Sequence, residues 1–476
     1  MSGPLTYYVS STGSDHSAGT SPAEAWRTLG RASAAILRPG VRLLLEGGKQ
    51  FTGQLRFGRG DAGDPAKPTV VGSYGRGRAT IVSPDGSGIV IVDTGGIDIS
   101  DLVVRGTHSP RNGLGINLYS DLTGNQKPAH VTIARVDVSG FYVGISIGSG
   151  SAGNGFRGVQ ISDSTVHNNI DAGVMSYGPT FDSAAPKYAN ENISVSRVTV
   201  LGNHGDPAKK QHNSGSGIVL GSVLGATVSW SVAHDNGGSG GDRYQGPQGI
   251  WAYDSTRVVI EHSLSYHNKT RYAVDGGGFD LDQNVSHSVL QYNLSYGNDG
   301  AGYLLYTGAE NDTYTGNVAR FNISSSDARA WQFYGGITVI GRISHTAIYQ
   351  NTVIAAPRPD GTPALAVQIG RGMNAITMRN NIFVTYQAGP ILVSRLPYPR
   401  SALLLQGNDY YSAAGHVRDT TEGRRLQHEE RPRGRHGRAQ SPRGCRGSDC
   451  LRAREQRSLP AGGHHLPLPR PLDGRP

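Results

Sequence analysis

Apolar and polar residues alternate with period two in short runs of three to five residues along most of the chain, and Gly, Asn, Asp and Ser separate the runs. Such alternation predicts half-buried β-strands. One run recurs with a leading glycine: GIVIV at Gly88, GINLY at Gly115, GISIG at Gly144, GVMSY at Gly173, GIVLG at Gly217, GIWAY at Gly249, GFDLD at Gly278 and GYLLY at Gly302. AWQFY at Ala330 is read as its continuation. A second column is polar. Asn293, Asn322, Asn351 and Asn380 follow one another at intervals of 29 residues. Backwards it passes through Ser263, Ser231, Val198, Ser164, Val136 and Leu102, with steps of 28 to 34 residues.

A period in this range marks a repeat architecture. Three short strands per repeat describe a parallel β-helix in which each coil stacks on the next. The asparagine column fits a tight corner, where Asn tolerates a left-handed backbone and its amide bonds to the copies above and below. Ser21-Pro22-Ala23-Glu24 has the form of a capping box, and Trp26, Leu29, Ala32, Ala35 and Ile36 follow at helical spacing. The predicted organisation is a cap over 1–80 with a helix over 22–37, a β-helix of eleven coils over 81–416, and an unstructured tail over 417–476.

In the Gly-led strand the residue after the glycine points inward and the next one outward. The outward positions are Asn117 and Tyr119, Ser146 and Gly148, Met175 and Tyr177, Val219 and Gly221, Trp251 and Tyr253, Asp280 and Asp282, Leu304 and Tyr306, and Gln332 and Tyr334. They predict an exposed row of rings, Tyr119, Tyr177, Tyr253, Tyr306 and Tyr334, with Trp251 beside it and acids in its middle. Aromatic faces with a free hydroxyl suit a polysaccharide.

Asp280 and Asp282 are the sharpest chemical feature. At i and i+2 both face outward, with α-carbons about 6.5–7 Å apart. Two such carboxylates can divide glycosidic cleavage between an acid and a base or nucleophile. The same pair could instead chelate calcium. Asp254, Asp275, Asp299, Glu310 and Asp312 lie in flanking loops, and Gly276, Gly277 and Gly278 let a ligand approach the backbone. Lys209, Lys210, His212, Arg243, Lys269 and Arg271 are basic candidates in loops before this sheet. His167, His234, His262 and His267 fall near corners and are read as structural.

Charge changes the picture only at the end of the chain. The net charge is +9. Residues 418–476 hold 14 Arg against seven acids, so the body carries only +2. The body is therefore not expected to bind nucleic acid. The tail lacks Ile, Val, Met, Phe, Trp and Tyr and holds both cysteines, Cys445 and Cys450. It is a basic arm, a plain disordered tail or, as we prefer, out-of-frame translation of a GC-rich gene. No apolar run is long enough to span a membrane.

On these motifs the chain, over about residues 7–411, resembles the right-handed parallel β-helix proteins of the pectin-lyase-like superfamily. The opening YYVSSTGSDHSAGTSPAEAWRTLGRA is similar to the segment ahead of many such helices, including the family 9 polysaccharide lyases. The resemblance implies a secreted protein acting on polysaccharides, and we expect a monomer. DGGGFDLD, 275–282, partly resembles a calcium-binding run of the family 9 lyases, which implies Asp280, with Asp282 and Asp275, as calcium ligands. Gly276 and Gly277 stand where that family has an acid pair, and its strand lysine has no counterpart here. The expectation is therefore glycosidic cleavage at Asp280 and Asp282, by hydrolysis ahead of elimination. Tyr119, Tyr177, Trp251, Tyr253, Tyr306, Tyr334, Arg243, Lys269 and Arg271 would bind the glycan. No cofactor is required unless the protein is a lyase using Ca²⁺. The rival expectation is a glycan-binding protein without catalysis.

Overall fold

A computed structural model describes residues 4–108, 113–151, 153–210, 212–240, 244–272, 274–308, 313–330, 333–413 and 417–419. Its strands are stacked in parallel, and it is the expected parallel β-helix. Thirteen strands form the Gly-led sheet, from Leu55–Phe57 to Val417–Asp419. The other strands form the remaining faces, two per coil through most of the stack, as with Thr256–Glu261 and Leu264–Tyr266. Among the described residues no helix is long and apolar enough to cross a membrane.

The inward half of the alternation behaves as the pattern predicts. Ile116, Ile145, Val174, Ile218, Ile250, Phe279, Tyr303 and Ile337 follow one another in register and are all buried in one continuous core. Phe279 and Tyr303 stack with centroids 5.3 Å apart, and the Tyr303 hydroxyl donates to the carbonyl of Asn293.

The polar column is a buried ladder. The backbone N–H of Asn293 donates to Asn322 Oδ1, Asn322 to Asn351 and Asn351 to Asn381, each at 3.0 Å. Ser263 and Ser231 continue it with their hydroxyls. Two details differ from the sequence reading. The ladder passes to Asn381, and Asn380 sits beside it. The left-handed residue is the one before each rung: His262, Tyr292, Phe321, Gln350 and Asn380 all have φ between 48° and 56°. This conformation costs a non-glycine residue about 1–2 kcal/mol. The rung that follows satisfies the buried backbone of the neighbouring coil and offsets that cost. A second ladder, unnoticed in the sequence, runs at the next corner from Asn169 through Asn203, Asn236, Asn268 and Asn298 to Asp327.

The predicted helix over 22–37 is much shorter. Pro22–Glu24 is a single 3₁₀ turn and the α-helix spans Leu29–Ser33. Between them Trp26 bridges in parallel to Val9, which holds the chain extended. Thr28 caps the helix by accepting from the N–H of Arg31, and Ser21 makes no side-chain cap bond. At the far end Val417–Asp419 pairs with Gly389–Ser394, so the sheet continues beyond residue 416. The rest of the tail, with Cys445 and Cys450, lies outside the described residues.

Candidate active site

Strand Gly277–Leu281 lies between Gln248–Tyr253 and Tyr303–Tyr306, which sets Trp251, Asp280 and Leu304 side by side on the outward face. Here the expectation of an exposed strip is corrected. Asp280 is 1% exposed, Trp251 4% and Tyr177 8%, while Tyr119, Tyr253 and Tyr306 are partly exposed. Two apolar clusters lie on the sheet's outer side, the first built by the strands themselves and the second completed by loop residues. One gathers Met175, Val219 and Trp251 with Tyr253 against it, and the other gathers Leu304, Phe333 and Tyr334. The tyrosines also lie flat. A Cβ on Gly148 would sit 2.4 Å from the Tyr177 ring, and one on Gly221 would sit 2.3 Å from that of Tyr253. The alternation of Tyr and Gly along the row makes room for each ring.

Tyr334 is not in the row. The strand of its coil is Gly335–Ile340, with Ile337 opposite Tyr303, so Thr338 and Ile340 take the outward positions. Gly336-Ile-Thr-Val offers the same pattern as Ala330-Trp-Gln-Phe with β-branched residues, and it wins the register. Gln332 lies outside the described residues.

The displaced Tyr334 enters the site from a loop. Its hydroxyl donates to Asp275 Oδ1 at 2.8 Å and accepts from the N–H of Asp275 at 3.1 Å. The N–H of Gly246 holds Asp275 Oδ2 at 2.8 Å. Asp275 and Gly276 both have positive φ, 58° and 74°, which turns the chain sharply into the strand. Any side chain on Gly276 would meet Thr270, so glycine is required there. Behind Tyr334, the buried Arg358 donates to the carbonyls of Ala328, Tyr334 and Pro363 and ties the covering loops together.

Asp280 lies deepest. Its Oδ2 accepts from Gln248 Nε2 at 3.4 Å, and its Oδ1 has no hydrogen-bond partner among the described residues. Gln248 is fixed in turn by the N–H of Gly277 on its Oε1. Trp251 Nε1 donates to Ser216 Oγ at 3.2 Å. Burial, then the charges of Asp282 and Asp275, hold the Asp280 carboxyl well above the usual carboxylate range. Asp282 is partly exposed at the strand end, and its Oδ1 accepts from the N–H of Gln283. Three carboxyls therefore interact here. Two, Asp275 and Asp282, reach solvent, and the third lies buried between their charges.

The other candidates are dispersed. Asp254 is buried and holds Asn284 Nδ2 at 2.7 Å, a structural role. Lys269 pairs with Asp299 and faces a cavity at a corner with Tyr296. Arg271 is exposed, donates to the carbonyl of Ser239 and lies over the Tyr272 ring. Arg243, Glu310 and Asp312 lie outside the described residues. Asp171 was missed in the sequence. It is 1% exposed at the head of the outward strand Ala172–Tyr177, and Lys209 Nζ contacts its oxygens at 3.0 and 3.1 Å. Burial, followed by the charges of Asp254, Tyr177, Asp171 and Asp282, raises the Tyr253 hydroxyl far above its ordinary value. Among the described residues no three His, Cys, Asp or Glu side chains gather closely enough to hold a metal ion.

No protein-family profile matches the chain. Lacto-N-biosidase of Bifidobacterium longum subsp. longum is 24% identical over 446 aligned positions, which take in 73% of this chain and 27% of that protein. The chain thus spans 27% of the length of the curated relative it matches. Two solved structures share the fold. A GH136 lacto-N-biosidase from Eubacterium ramulus superposes with a TM-score of 0.52 at 13% identity, over 86% of this chain and 68% of that one. The mannuronan C-5 epimerase AlgE4 A-module of Azotobacter vinelandii superposes with a TM-score of 0.52 at 15% identity, over 79% and 91%.

Proposed function

We propose that this protein is a carbohydrate-active enzyme that hydrolyses a glycosidic bond at the carboxyl cluster of Asp275, Asp280 and Asp282. The observation that carries this reading is a buried carboxyl with one oxygen unpartnered among the described residues, under the charges of two acids that reach solvent. A carboxyl pushed up by burial beside other acids marks functional sites more often than structural ones. The names of the relatives, two lacto-N-biosidases and an epimerase of mannuronan, support a glycan as substrate.

Exposure supports a division of roles. A catalytic acid or nucleophile must touch the sugar, and Asp275 and Asp282 have that access. One of them protonates the departing glycosidic oxygen as the bond to the anomeric carbon breaks. The other attacks that carbon or takes a proton from the water that does. Asp275, oriented by Gly246 and Tyr334, suits the base or nucleophile, and Asp282 suits the acid. Asp280 favours its protonated form, so it does not add a third charge beneath the reacting sugar.

Calcium-assisted elimination is the second reading. The three acids do not form a ready cage for a hard cation, which takes six to eight oxygens. We further place the protein outside the cytoplasm, which detection in culture medium and washed-cell fractions tests.

The decisive assay incubates the protein with pectic, alginate, xylan and lacto-N-biose-terminated substrates, with Ca²⁺ or EDTA. It follows reducing ends and absorbance near 235 nm. Reducing ends without absorbance, insensitive to EDTA, are expected. Asp275→Asn and Asp282→Asn should each lower turnover by about 10³-fold or more. New absorbance, or full activity in either variant, would overturn the reading.

A further inference from the structure

A stack of aromatic rings ends at the corner that follows strand Leu294–Tyr296. Three rings stack there, one per coil. His234 lies on Tyr266 and Tyr266 on Tyr296, with centroids 4.7 Å apart in both pairs and planes within 3° of parallel. The register then continues to Ser325 and Ile354. The stack therefore stops at Tyr296. In the next coil a small hydroxyl stands where a ring would continue it. Coils repeat at about 4.8 Å, which puts Ile354 roughly 9–10 Å beyond Tyr296. A ring in van der Waals contact on both sides needs about 8 Å. The gap is one sugar ring thick.

Tyr296 and Ser325, on the near side of this gap, line a cavity of about 720 Å³. Arg329 and Lys269 line it, and Ser325 and Ser326 bring hydroxyls. Among the described residues no carboxylate pairs with Arg329. Lys269 is 3.4 Å from Asp299. The acid on the cavity wall, Asp235, is already held by His234 Nδ1 at 2.7 Å. The wall thus combines an aromatic face at the end of the stack with a guanidinium that no described carboxylate pairs.

We infer that this slot binds one pyranose ring that carries an anionic group, its apolar face against Tyr296 and its carboxylate or sulfate on Arg329. A planar guanidinium suits either anion. The inference rests on the reading of the protein as carbohydrate-active, and it is separate from the carboxyl cluster.

Calorimetric titration of the full chain with trigalacturonate, a chondroitin sulfate tetrasaccharide and cellotriose tests it. The carboxylated or the sulfated probe should bind at least tenfold more tightly than neutral cellotriose, and the two arms distinguish the anion. Arg329→Gln should remove that preference. Ser325→Tyr, which extends the ring stack into the slot, should abolish binding of the anionic probe without lowering the melting temperature. Arg329→Gln, at a partly exposed position, serves alone if Ser325→Tyr does not fold. Parental binding in Arg329→Gln, or no preference for either anionic probe, would overturn the inference. Asp275→Asn should leave probe binding intact, so failure of cleavage and failure of this site are read separately.

Discussion

Tyr334 and Asp275 bond each other twice across 59 residues of chain, hydroxyl to carboxylate and N–H to hydroxyl. A side chain displaced from its expected strand thereby aims an acid of the candidate site. Tyr334→Phe keeps the ring in its apolar cluster and removes both bonds. A catalytic group misplaced by about 1 Å can cost 10²-fold. The expected result is a fall in kcat of roughly 10- to 100-fold, with KM changed much less. Unchanged kcat would mean that Asp275 needs no such aim, or takes no part.

Asp327 ends the second ladder. Its Oδ1 accepts from the N–H and the amide of Asn298, and its Oδ2 accepts from Ser324. Burial raises its pKa from 3.8 to about 6, against these bonds, which lower it. The folded chain therefore holds this proton more tightly than the unfolded chain. The resulting stabilisation is complete below the ordinary value and is lost as pH rises through about 6. Asp327→Asn keeps the acceptor without the charge. It should stabilise the fold by about 1–3 kcal/mol at pH 7.5 and by almost nothing at pH 4. Thermal melts at the two pH values check this, and an equal gain at both would contradict it.

Asn322 is a rung with neighbours on both sides. It accepts from the backbone and amide of Asn293 and donates to the carbonyl of Leu290 and to Asn351. Asn322→Ala strands two buried backbone groups, each worth about 1–3 kcal/mol. Urea titration should show a loss of roughly 2–4 kcal/mol. Asn322→Ser should lose less, since serine hydroxyls already serve as rungs at Ser231 and Ser263.

Gly221 seats the Tyr253 ring, and Gly221→Ala would push a methyl to 2.3 Å from it. Tyr253 packs against Trp251 with centroids 5.3 Å apart. The variant should change tryptophan fluorescence and raise KM for a glycan. Gly60→Ala, with nothing within 4 Å, is the silent control. An unchanged spectrum and KM in the Gly221 variant would remove the Tyr253 ring from the binding surface.

The period of the polar column, the alternation of the Gly-led strands and the placing of Asp280 and Asp282 on one face were legible in the sequence. Stacked coils repeat the same local geometry, and local geometry constrains residue type at a constant spacing. Tertiary structure decided what lies above that face. Phe333 and Tyr334 come from a loop one coil-length excursion away, and Arg358 from the next coil holds that loop. Their contacts obey no period. Alternation separates inward from outward but not outward from exposed, so the burial of Trp251 and Asp280 could not be read from it. The same limit hid Asp171, whose partner Lys209 lies 38 residues away, and it let Asn380 stand for Asn381. Neighbouring asparagines are equivalent in a repeat count. Only the backbone decides which one turns the corner and which one forms the rung.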